Sequence, residues 1–276
     1  MAVASIVIPL YGRCALTKQC LESVVATCEG LDYEVILVDN ASPDETPALL
    51  DRLSGDVTVI RNRENLGFAK ACNQGWRAAS GQFVVFLNND TVATSGWLEA
   101  LHRGLLEPGV AVVGARLLYP RTETIQHAGV VAVGGMPMHL HANVPKDDPR
   151  VTTPRDFDMV TGACMALPRA VLTALDGFDE AFINGLEDID LCLKVRALGG
   201  RVRYCADAVL YHYESQSDGR FAYAAHNVSI FLNRWARCFS PPLTGYGTSQ
   251  GASRFLPEFA ASLLRARLET EPSAAS

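Results

Sequence analysis

Short apolar runs alternate with stretches of helical spacing through the first 118 residues. The alternation begins with SIVIPL, residues 5–10, and continues with a helix over 16–28 whose apolar positions lie four residues apart. Runs that are apolar on both faces, such as VILV and VVFL, are typical of parallel strands covered by helices. The pattern predicts an α/β fold with a mostly parallel, Rossmann-like sheet and helices on both faces. Further strands are predicted at 34–39, 57–61, 83–87 and 110–118, and further helices at 47–53, 68–79 and 97–106.

The second half is less regular. Six Gly and Pro residues within 134–157 predict a long loop of the kind that often carries function. Helices are expected at 169–175, up to Leu198 and over 221–238, with strands at 201–205 and 208–213. We expect one domain over 1–240, made of a sheet-rich half (1–118) and a smaller half (119–240), followed by a partly helical extension (241–276) with a disordered end.

Composition narrows the function classes. The 24 Lys and Arg residues against 30 Asp and Glu give a formal charge of −6, which disfavours a nucleic-acid partner. An anionic substrate would therefore need a local device such as a metal ion, a helix N-terminus or a few placed cations. No apolar run approaches the length of a membrane span, and the N-terminal apolar stretch indicates a strand rather than a signal peptide. We expect a cytoplasmic protein.

The eight cysteines include no CxxC pair and mostly stand in apolar settings. Buried free thiols in a reducing compartment explain this usage better than zinc ligands or disulfides.

Polar side chains follow several predicted strands, where ligands bind in open α/β sheets. Asp39 ends the second strand, the run Asn88-Asn89-Asp90 follows the fourth, and His212 lies in the last. Carboxylate and amide oxygens suit a hard cation, although Asn and Asp at a strand end also simply begin turns. A single histidine is as easily a core or surface residue as a ligand.

Three acids, Glu187, Asp188 and Asp190, stand at the start of a predicted helix. Carboxylates there are favoured by the helix dipole, so capping alone explains them. The helix is apolar on nearly every side, however, which places its acids along a cleft rather than in bulk water. Glu187 and Asp190 share a face and Asp188 points away from it. An acid in a cleft suits a general base.

Several catalytic signatures are absent from the sequence. It has no GxxxxGK[ST] loop, no GxGxxG after the first strand and no GxSxG elbow. These absences disfavour kinases, dinucleotide oxidoreductases and α/β-hydrolases.

Eight segments together resemble glycosyltransferase family 2, which has the GT-A fold, and most closely its rhamnosyltransferase-like bacterial branch. They occur in the family's order over about residues 4–236: SIVIPLYGR, VILVDNAS, NRENLGFAKACNQG, FLNNDT, VTGACMALPR, LDGFDEAF, LEDIDLCLKVRALGGRV and LYHYES. The resemblance implies a metal-assisted, inverting transferase that uses a nucleotide-sugar donor, with 1–118 binding the nucleotide and 119–240 serving the acceptor.

Carried over by position, the resemblance assigns roles to individual residues. Asp90 and His212 would bind a divalent cation, Mn²⁺ or Mg²⁺, and Asp188, in the Glu187–Asp188 pair, would be the general base. The first position of the family's DxD motif is Asn88 here, so we expect weaker metal binding. The nucleoside side would include Pro9, Tyr11, Asp39, Asn65, Gly67, Lys70, Asn88 and Asn89. The sugar and acceptor side would include Trp97, Gly162, Ala163 and Asp190.

The expected reaction moves a sugar from a UDP- or dTDP-sugar, with dTDP-rhamnose as one candidate, to a hydroxyl of a cell-surface glycan or lipid-linked acceptor. Two alternatives stay open: a sugar-phosphate nucleotidyltransferase and a non-catalytic glycan-binding module. The stretch 255–269 suits either a membrane surface or a helix packed on the domain or on a second copy in a homodimer. Lys70, Arg61 and Arg63 suit either phosphate contact or solvent.

Overall fold

The computed structural model describes residues 2–28, 30–214, 222–239, 252–253, 255–258 and 260–261. Its strands are β1 Ala4–Leu10, β2 Tyr33–Asp39, β3 Val57–Arg61, β4 Phe83–Leu87, β5 Thr91–Ala93, β6 Val110–Leu118, β7 Ile125–His127, β8 Val130–Val133, β9 Met136–His139, β10 Arg155–Phe157, β11 Cys164–Pro168, β12 Arg201–His212 and β13 Ala252–Ser253. Its α-helices are α1 Cys14–Thr27, α2 Thr46–Leu50, α3 Phe68–Ala78, α4 Trp97–Leu105, α5 Arg169–Leu175, α6 Glu187–Ala197 and α7 Ala224–Trp235.

The main sheet has the mostly parallel arrangement that the apolar runs predict. Its strands lie in the order β10-β12-β6-β11-β4-β1-β2-β3, with β5 paired to β12 and β7 to β6. β1 runs parallel to β2 and β4, β2 to β3, and β6 to β12. β11 runs antiparallel between β4 and β6. Because β11 comes from the second half of the chain and its neighbours from the first, both halves share one sheet.

Helices cover both faces of this sheet, as predicted. Alternate side chains of β1 enter different cores: Ile6 packs with residues of α1 and α4, and Val7 packs with residues of α3 and α6. These residues are fully buried. Alternation on a strand with two covered faces gives each face its own apolar layer.

The described part of the second half departs from the expectation in several places, including the strands β7 and β8, for which no element was predicted. The predicted loop 134–157 contains two short strands, β9 and β10, and β9 belongs to a separate three-stranded sheet with β8 and β13. The apolar segment that forms β11 is also a strand, which the sequence pattern left unassigned. The two predicted strands 201–205 and 208–213 are one strand, β12, with a register shift between Cys205 and Val209.

The described part of the 255–269 stretch packs on the domain. Phe255 is buried, and its ring centroid lies 6.0 Å from that of Trp235 at the end of α7. Ala260 is also buried. These contacts favour the packed alternative for 255–258 and 260–261. The described residues do not include Phe259, residues 262–269 or the predicted disordered end. They also do not include Phe221, the first residue of the predicted helix 221–238.

All eight cysteines are free thiols, and all except Cys14 are buried, as predicted. In the part of the chain that the structure describes, no helix is both long and apolar enough to cross a bilayer.

Candidate active site

Polar side chains from β4 and β12 meet at the edge where these strands end. Asn88, Asn89 and Asp90 follow β4 directly, and His212 is the last residue of β12. β12 pairs with β5 so that His212 lies opposite Thr91, which brings its ring beside the turn. The Asp90 Oδ1 atom is 3.1 Å from His212 Nε2, and Asn88 Nδ2 is 3.4 Å from the same nitrogen. The structure therefore brings together the two predicted metal ligands.

This group of side chains suits a divalent cation. Asp90 and His212 are 8% and 5% exposed, so little water reaches their polar atoms. The Asn88 Oδ1 atom is buried and has no hydrogen-bond partner among the described residues, and a bound cation would supply one. A carboxylate, an amide oxygen and an imidazole are acceptable ligands for Mn²⁺ or Mg²⁺. The described residues contain no metal-type cluster of three or more His, Cys, Asp or Glu side chains, so the third ligand would be the Asn88 amide.

A cysteine beside this group is not a competing ligand. The Cys20 Sγ atom lies 3.7 Å from the Asn88 carbonyl oxygen and 3.6 Å from Thr91 Oγ1. Burial raises the pKa of the Cys20 thiol to about 12. Mn²⁺ and Mg²⁺ also prefer carboxylate and carbonyl oxygens to sulfur, so this thiol is a poor ligand for them.

The predicted base lies at the start of α6. Asp188 is half-buried, its Oδ2 atom accepts a 2.6 Å hydrogen bond from the Gly162 amide, and its Oδ1 atom accepts one of 2.8 Å from the Ile189 amide. The neighbouring Glu187 is buried and accepts a 2.5 Å hydrogen bond from the Gly185 amide. Both carboxylates are thus fixed in orientation by backbone donors.

Gly162 and Ala163 connect the predicted base with the group formed by Asn88, Asp90 and His212. The Gly162 amide donates to Asp188, and the carbonyl of the next residue, Ala163, accepts a 2.9 Å hydrogen bond from the Asn88 amide. A Cβ on residue 162 would come within 2.9 Å of the Asp188 Cβ, so glycine permits the close approach. Gly162 and Ala163 therefore lie between Asp188 and Asn88; their role on the sugar side of the site stays a prediction.

The predicted nucleoside residues gather around the ends of β1 and β2. Asp39 is buried at the end of β2 and accepts a 2.9 Å hydrogen bond from the Ser42 amide. Asn65 and Gly67 lie in the loop before α3, and the Asn40 side chain binds both: its amide nitrogen donates to Asn65 Oδ1 at 2.9 Å and to the Gly67 carbonyl at 3.1 Å. Asn40 therefore holds this loop against the end of β2.

The first turn of the chain is tied to the same edge. Asn89 Nδ2 donates to Thr17 Oγ1 at 2.9 Å and to the Gly12 carbonyl at 3.3 Å, which fixes the segment after β1. Tyr11 in that segment is 39% exposed, and Pro9 is half-buried within β1. Lys70 is exposed on α3, while Arg61 pairs with Asp51 at 2.7 Å.

Two predicted sugar-side or acceptor-side residues lie inside the protein. Trp97 is fully buried in the core beneath α4. Asp190 is fully buried too, and its Oδ1 atom accepts hydrogen bonds from Arg234 Nη1 at 2.6 Å and Trp235 Nε1 at 2.8 Å. Neither side chain is open to an acceptor, because Trp97 fills the apolar face of its helix and Asp190 anchors α7.

The sequence analysis did not identify two residues near the site, Asn40 and Gln126. Asn40 directly follows Asp39 at a strand end, so its position carried a usable signal. Gln126 in β7 binds both the ring and the carbonyl of His212, yet a single glutamine in a short strand carries no signal of its own.

The comparisons with known proteins agree with this architecture. The profile described as "Glycosyl transferase family 2" matches residues 5–175, more than half of the chain. The "O-antigen biosynthesis protein RfbC" of Myxococcus xanthus is 36% identical over 225 residues, which are 77% of this chain and 17% of that protein. An uncharacterized protein, y4gI, of Sinorhizobium fredii is 32% identical over 79% of this chain and 25% of its own length. The chain thus spans a quarter or less of these two relatives.

Solved structures share the fold at low identity. GalNAc-T7 with UDP, GalNAc and Mn²⁺ superposes with a TM-score of 0.67 and 18% identity, covering 85% of this chain and 48% of that one. The mannosyltransferase PcManGT from Pyrobaculum calidifontis, with GDP-Man and Mn²⁺, gives 0.64 and 20% over 100% of this chain and 76% of that one. The predicted GT-A fold is confirmed. With the profile match over most of its sheet, the chain belongs to glycosyltransferase family 2.

Proposed function

We propose that the chain transfers a sugar from a nucleotide-sugar donor to a hydroxyl of a glycan or lipid-linked acceptor, with inversion at the anomeric carbon. The observation that carries this proposal is the hydrogen-bonded path from Asp188 through Gly162 and Ala163 to Asn88. It links the Asp188 carboxylate to Asn88, one of the three residues that would hold a cation, through one short backbone segment. We assign donor binding to residues 1–118 and acceptor binding to 119–240.

Asn88, Asp90 and His212 would hold a divalent cation. When bound, the cation neutralises negative charge on the departing nucleoside diphosphate. The orphaned Asn88 Oδ1 atom supports this assignment, and so does the Mn²⁺ in both structural neighbours. Since the chain is acidic and has no phosphate-binding GxxxxGK[ST] loop, its own side chains supply little positive charge for the diphosphate.

Asp188 would take the proton of the acceptor hydroxyl. Each of its carboxylate oxygens accepts one backbone hydrogen bond, which leaves lone pairs on both for the incoming proton. A general base must lie within hydrogen-bond reach of the proton that it removes, and backbone donors hold this carboxylate in one orientation. Attack from the side opposite the leaving diphosphate is a single displacement, which inverts the anomeric centre.

The name of one relative supports a bacterial glycan as the acceptor. The similarity to an O-antigen biosynthesis protein supports an acceptor of the cell envelope, and we propose dTDP-rhamnose or a UDP-sugar as the donor. A lipid-linked acceptor would place the reaction at the inner face of the cytoplasmic membrane.

The test combines donor binding with turnover. Purified full chain is screened by thermal shift against nucleotide sugars with and without Mn²⁺, and transfer is then measured with the best donor. We expect Asp188→Asn to lower transfer by about 10²- to 10⁴-fold while donor binding stays near that of the unchanged protein. Asp51→Asn, an exposed residue, is the matched control. A fully active Asp188→Asn variant would overturn the base assignment, and donor binding without turnover in the unchanged chain would favour the binding-module alternative.

A further inference from the structure

Gln126 contacts His212 at two points. It lies in β7 and is 5% exposed. Its Oε1 atom is 2.6 Å from His212 Nδ1, and its Nε2 atom donates to the His212 carbonyl oxygen at 3.1 Å. The same Nε2 atom is 3.4 Å from Glu214 Oε2. The carboxamide therefore faces the ring on one side and two oxygens on the other.

These contacts fix which way the carboxamide points. The His212 carbonyl and the Glu214 carboxylate are both acceptors, so the group facing them must be the NH₂ end. The oxygen end then faces His212 Nδ1, and a 2.6 Å contact between this oxygen and the ring nitrogen requires a proton on Nδ1. In the neutral ring the proton on Nδ1 leaves the lone pair on Nε2, the atom 3.1 Å from Asp90 Oδ1 and 3.4 Å from Asn88 Nδ2. A lone pair and a carboxylate oxygen repel each other at this distance, and a cation bound by both atoms would remove that repulsion.

We propose that Gln126 is a positioning residue that holds the neutral His212 ring in the Nδ1–H tautomer and thereby makes Nε2 the ligand atom for the cation. This inference rests on the proposed function, since it assumes that Asp90 and His212 bind a metal. Histidine ligands in proteins commonly donate their second ring N–H to a carboxylate, a carbonyl or a water, which sets both tautomer and ring orientation. Here a buried carboxamide supplies that acceptor.

The pairing of β7 and β12 with the same strand, β6, brings Gln126 next to His212. β7 pairs antiparallel with β6, with His127 opposite Leu117, and β12 lies on β6 in parallel. Gln126 thus comes from the second half of the chain, 86 residues before His212. An apolar residue there would leave the Nδ1–H group buried without a partner, which the neutral ring avoids by moving its proton to Nε2.

The experiment compares Gln126→Leu, which removes both contacts with His212, with Gln126→Glu, which keeps an acceptor oxygen for Nδ1 but loses the N–H donor to the His212 carbonyl. Tyr204→Phe is the matched control, because it removes a buried 2.7 Å hydrogen bond to the Val151 carbonyl elsewhere in this half. Mn²⁺ binding is measured by calorimetry on the metal-free full chain. The tautomer of neutral His212 is measured by ¹⁵N NMR of histidine-labelled protein, with His212→Gln to assign the signal among the six histidines.

We expect Nδ1–H in the unchanged protein and a shift toward Nε2–H in Gln126→Leu. The Mn²⁺ dissociation constant should rise about 10- to 100-fold in Gln126→Leu, stay within a few-fold in Gln126→Glu and not change in Tyr204→Phe. An Nε2–H tautomer in the unchanged protein, or an unaltered Mn²⁺ affinity in Gln126→Leu, would overturn the inference. If the unchanged chain binds no Mn²⁺, the metal assignment of the proposed function fails, and the tautomer measurement still decides whether Gln126 positions the ring.

Discussion

The Asp188 carboxylate accepts a 2.6 Å hydrogen bond from the Gly162 amide, and the two residues approach so closely that a Cβ on residue 162 would lie 2.9 Å from the Asp188 Cβ. Contacts under 3.0 Å between such carbons require something to move. The base of the proposed reaction is thus placed by a segment that lies 26 residues earlier in the chain. The Ala163 carbonyl in the same segment accepts a hydrogen bond from the Asn88 amide, so a shift at residue 162 would displace both Asp188 and Asn88.

We expect Gly162→Ala to lower kcat far more than it changes the KM for the donor. The added methyl group displaces the Asp188 carboxylate, and misplacement of a reacting group by about 1 Å costs roughly 10²-fold in rate. Steady-state kinetics with varied donor checks this split. Gly104→Ala is the control. It also adds a methyl group in a tight place, 3.1 Å from a Val113 side-chain carbon, but it lies in α4, whose apolar residues belong to the same core as Ile6. Unaltered kcat in Gly162→Ala would contradict the placement of the base.

Asn88→Asp should tighten Mn²⁺ binding about tenfold, equivalent to about 1.4 kcal/mol. The substitution replaces the unpartnered amide oxygen with a carboxylate oxygen, and a hard cation binds the anionic ligand better. Without metal, the new charge stands close to Asp90, so the melting temperature of the metal-free variant should fall. Calorimetry and thermal shift with and without chelator measure both effects, and Gln19→Glu on the exposed side of α1 controls for the added charge. Equal or weaker Mn²⁺ affinity would exclude residue 88 as a ligand.

Asp190→Ala should reduce the free energy of unfolding by about 3–5 kcal/mol. The Asp190 carboxylate is fully buried, with Arg234 at 2.6 Å and Lys194 at 3.0 Å, and it accepts a hydrogen bond from the Trp235 N–H. Its removal takes the acceptor from Trp235 and leaves the two cations with Asp179 as their shared anionic partner. Urea denaturation measures the change. The double variant Asp190→Leu with Arg234→Met should be less destabilised than Asp190→Ala, because it removes the buried charge together with its partner. A loss below about 1 kcal/mol in Asp190→Ala would show that the pair does not anchor α7.

Lowering the pH should reduce the free energy of unfolding partly because Asp179 becomes protonated. Partial burial acts to raise the pKa of Asp179, but the Ala181 amide and the charges of Lys194 and Arg234 lower it by more. Because the folded-state pKa lies below the unfolded one, the stabilisation is complete above the ordinary carboxylate range and is lost as the pH falls through the folded value.

Asp179→Asn should therefore be less stable near neutral pH and should lose less stability than the unchanged chain on going down to about pH 3. Asp176→Asn is the control, since its side chain is 84% exposed and pairs with Arg77 at the surface. Parallel pH profiles for the unchanged protein and Asp179→Asn would contradict this assignment.

Four predicted strands of the first half, β1, β2, β4 and β6, match the structure because their residues are mostly apolar on both faces. β4 and β6 have the predicted bounds, and β1 is longer by one residue. The polar residues at the ends of β2 and β4, Asp39 and the run 88–90, could also be identified, because parallel strands bring their carboxyl ends to one edge. Short strands such as β9 and β10 have too few residues to show a period, so the long loop predicted over 134–157 was only partly right. β7, at Ile125–His127, is too short for the same reason and was left unassigned.

The amino-acid sequence by itself determined the layered α/β fold, the family and the identity of the acids and the histidine at the strand ends, because periodicity and local motifs are properties of neighbouring residues. Only the tertiary structure decided which of those residues face one another. The pairs Gln126–His212 and Asp190–Arg234 join residues 86 and 44 positions apart, and each depends on how separate elements pack. The same packing buried Trp97 and Asp190, since a side chain's exposure depends on elements that lie far from it along the chain.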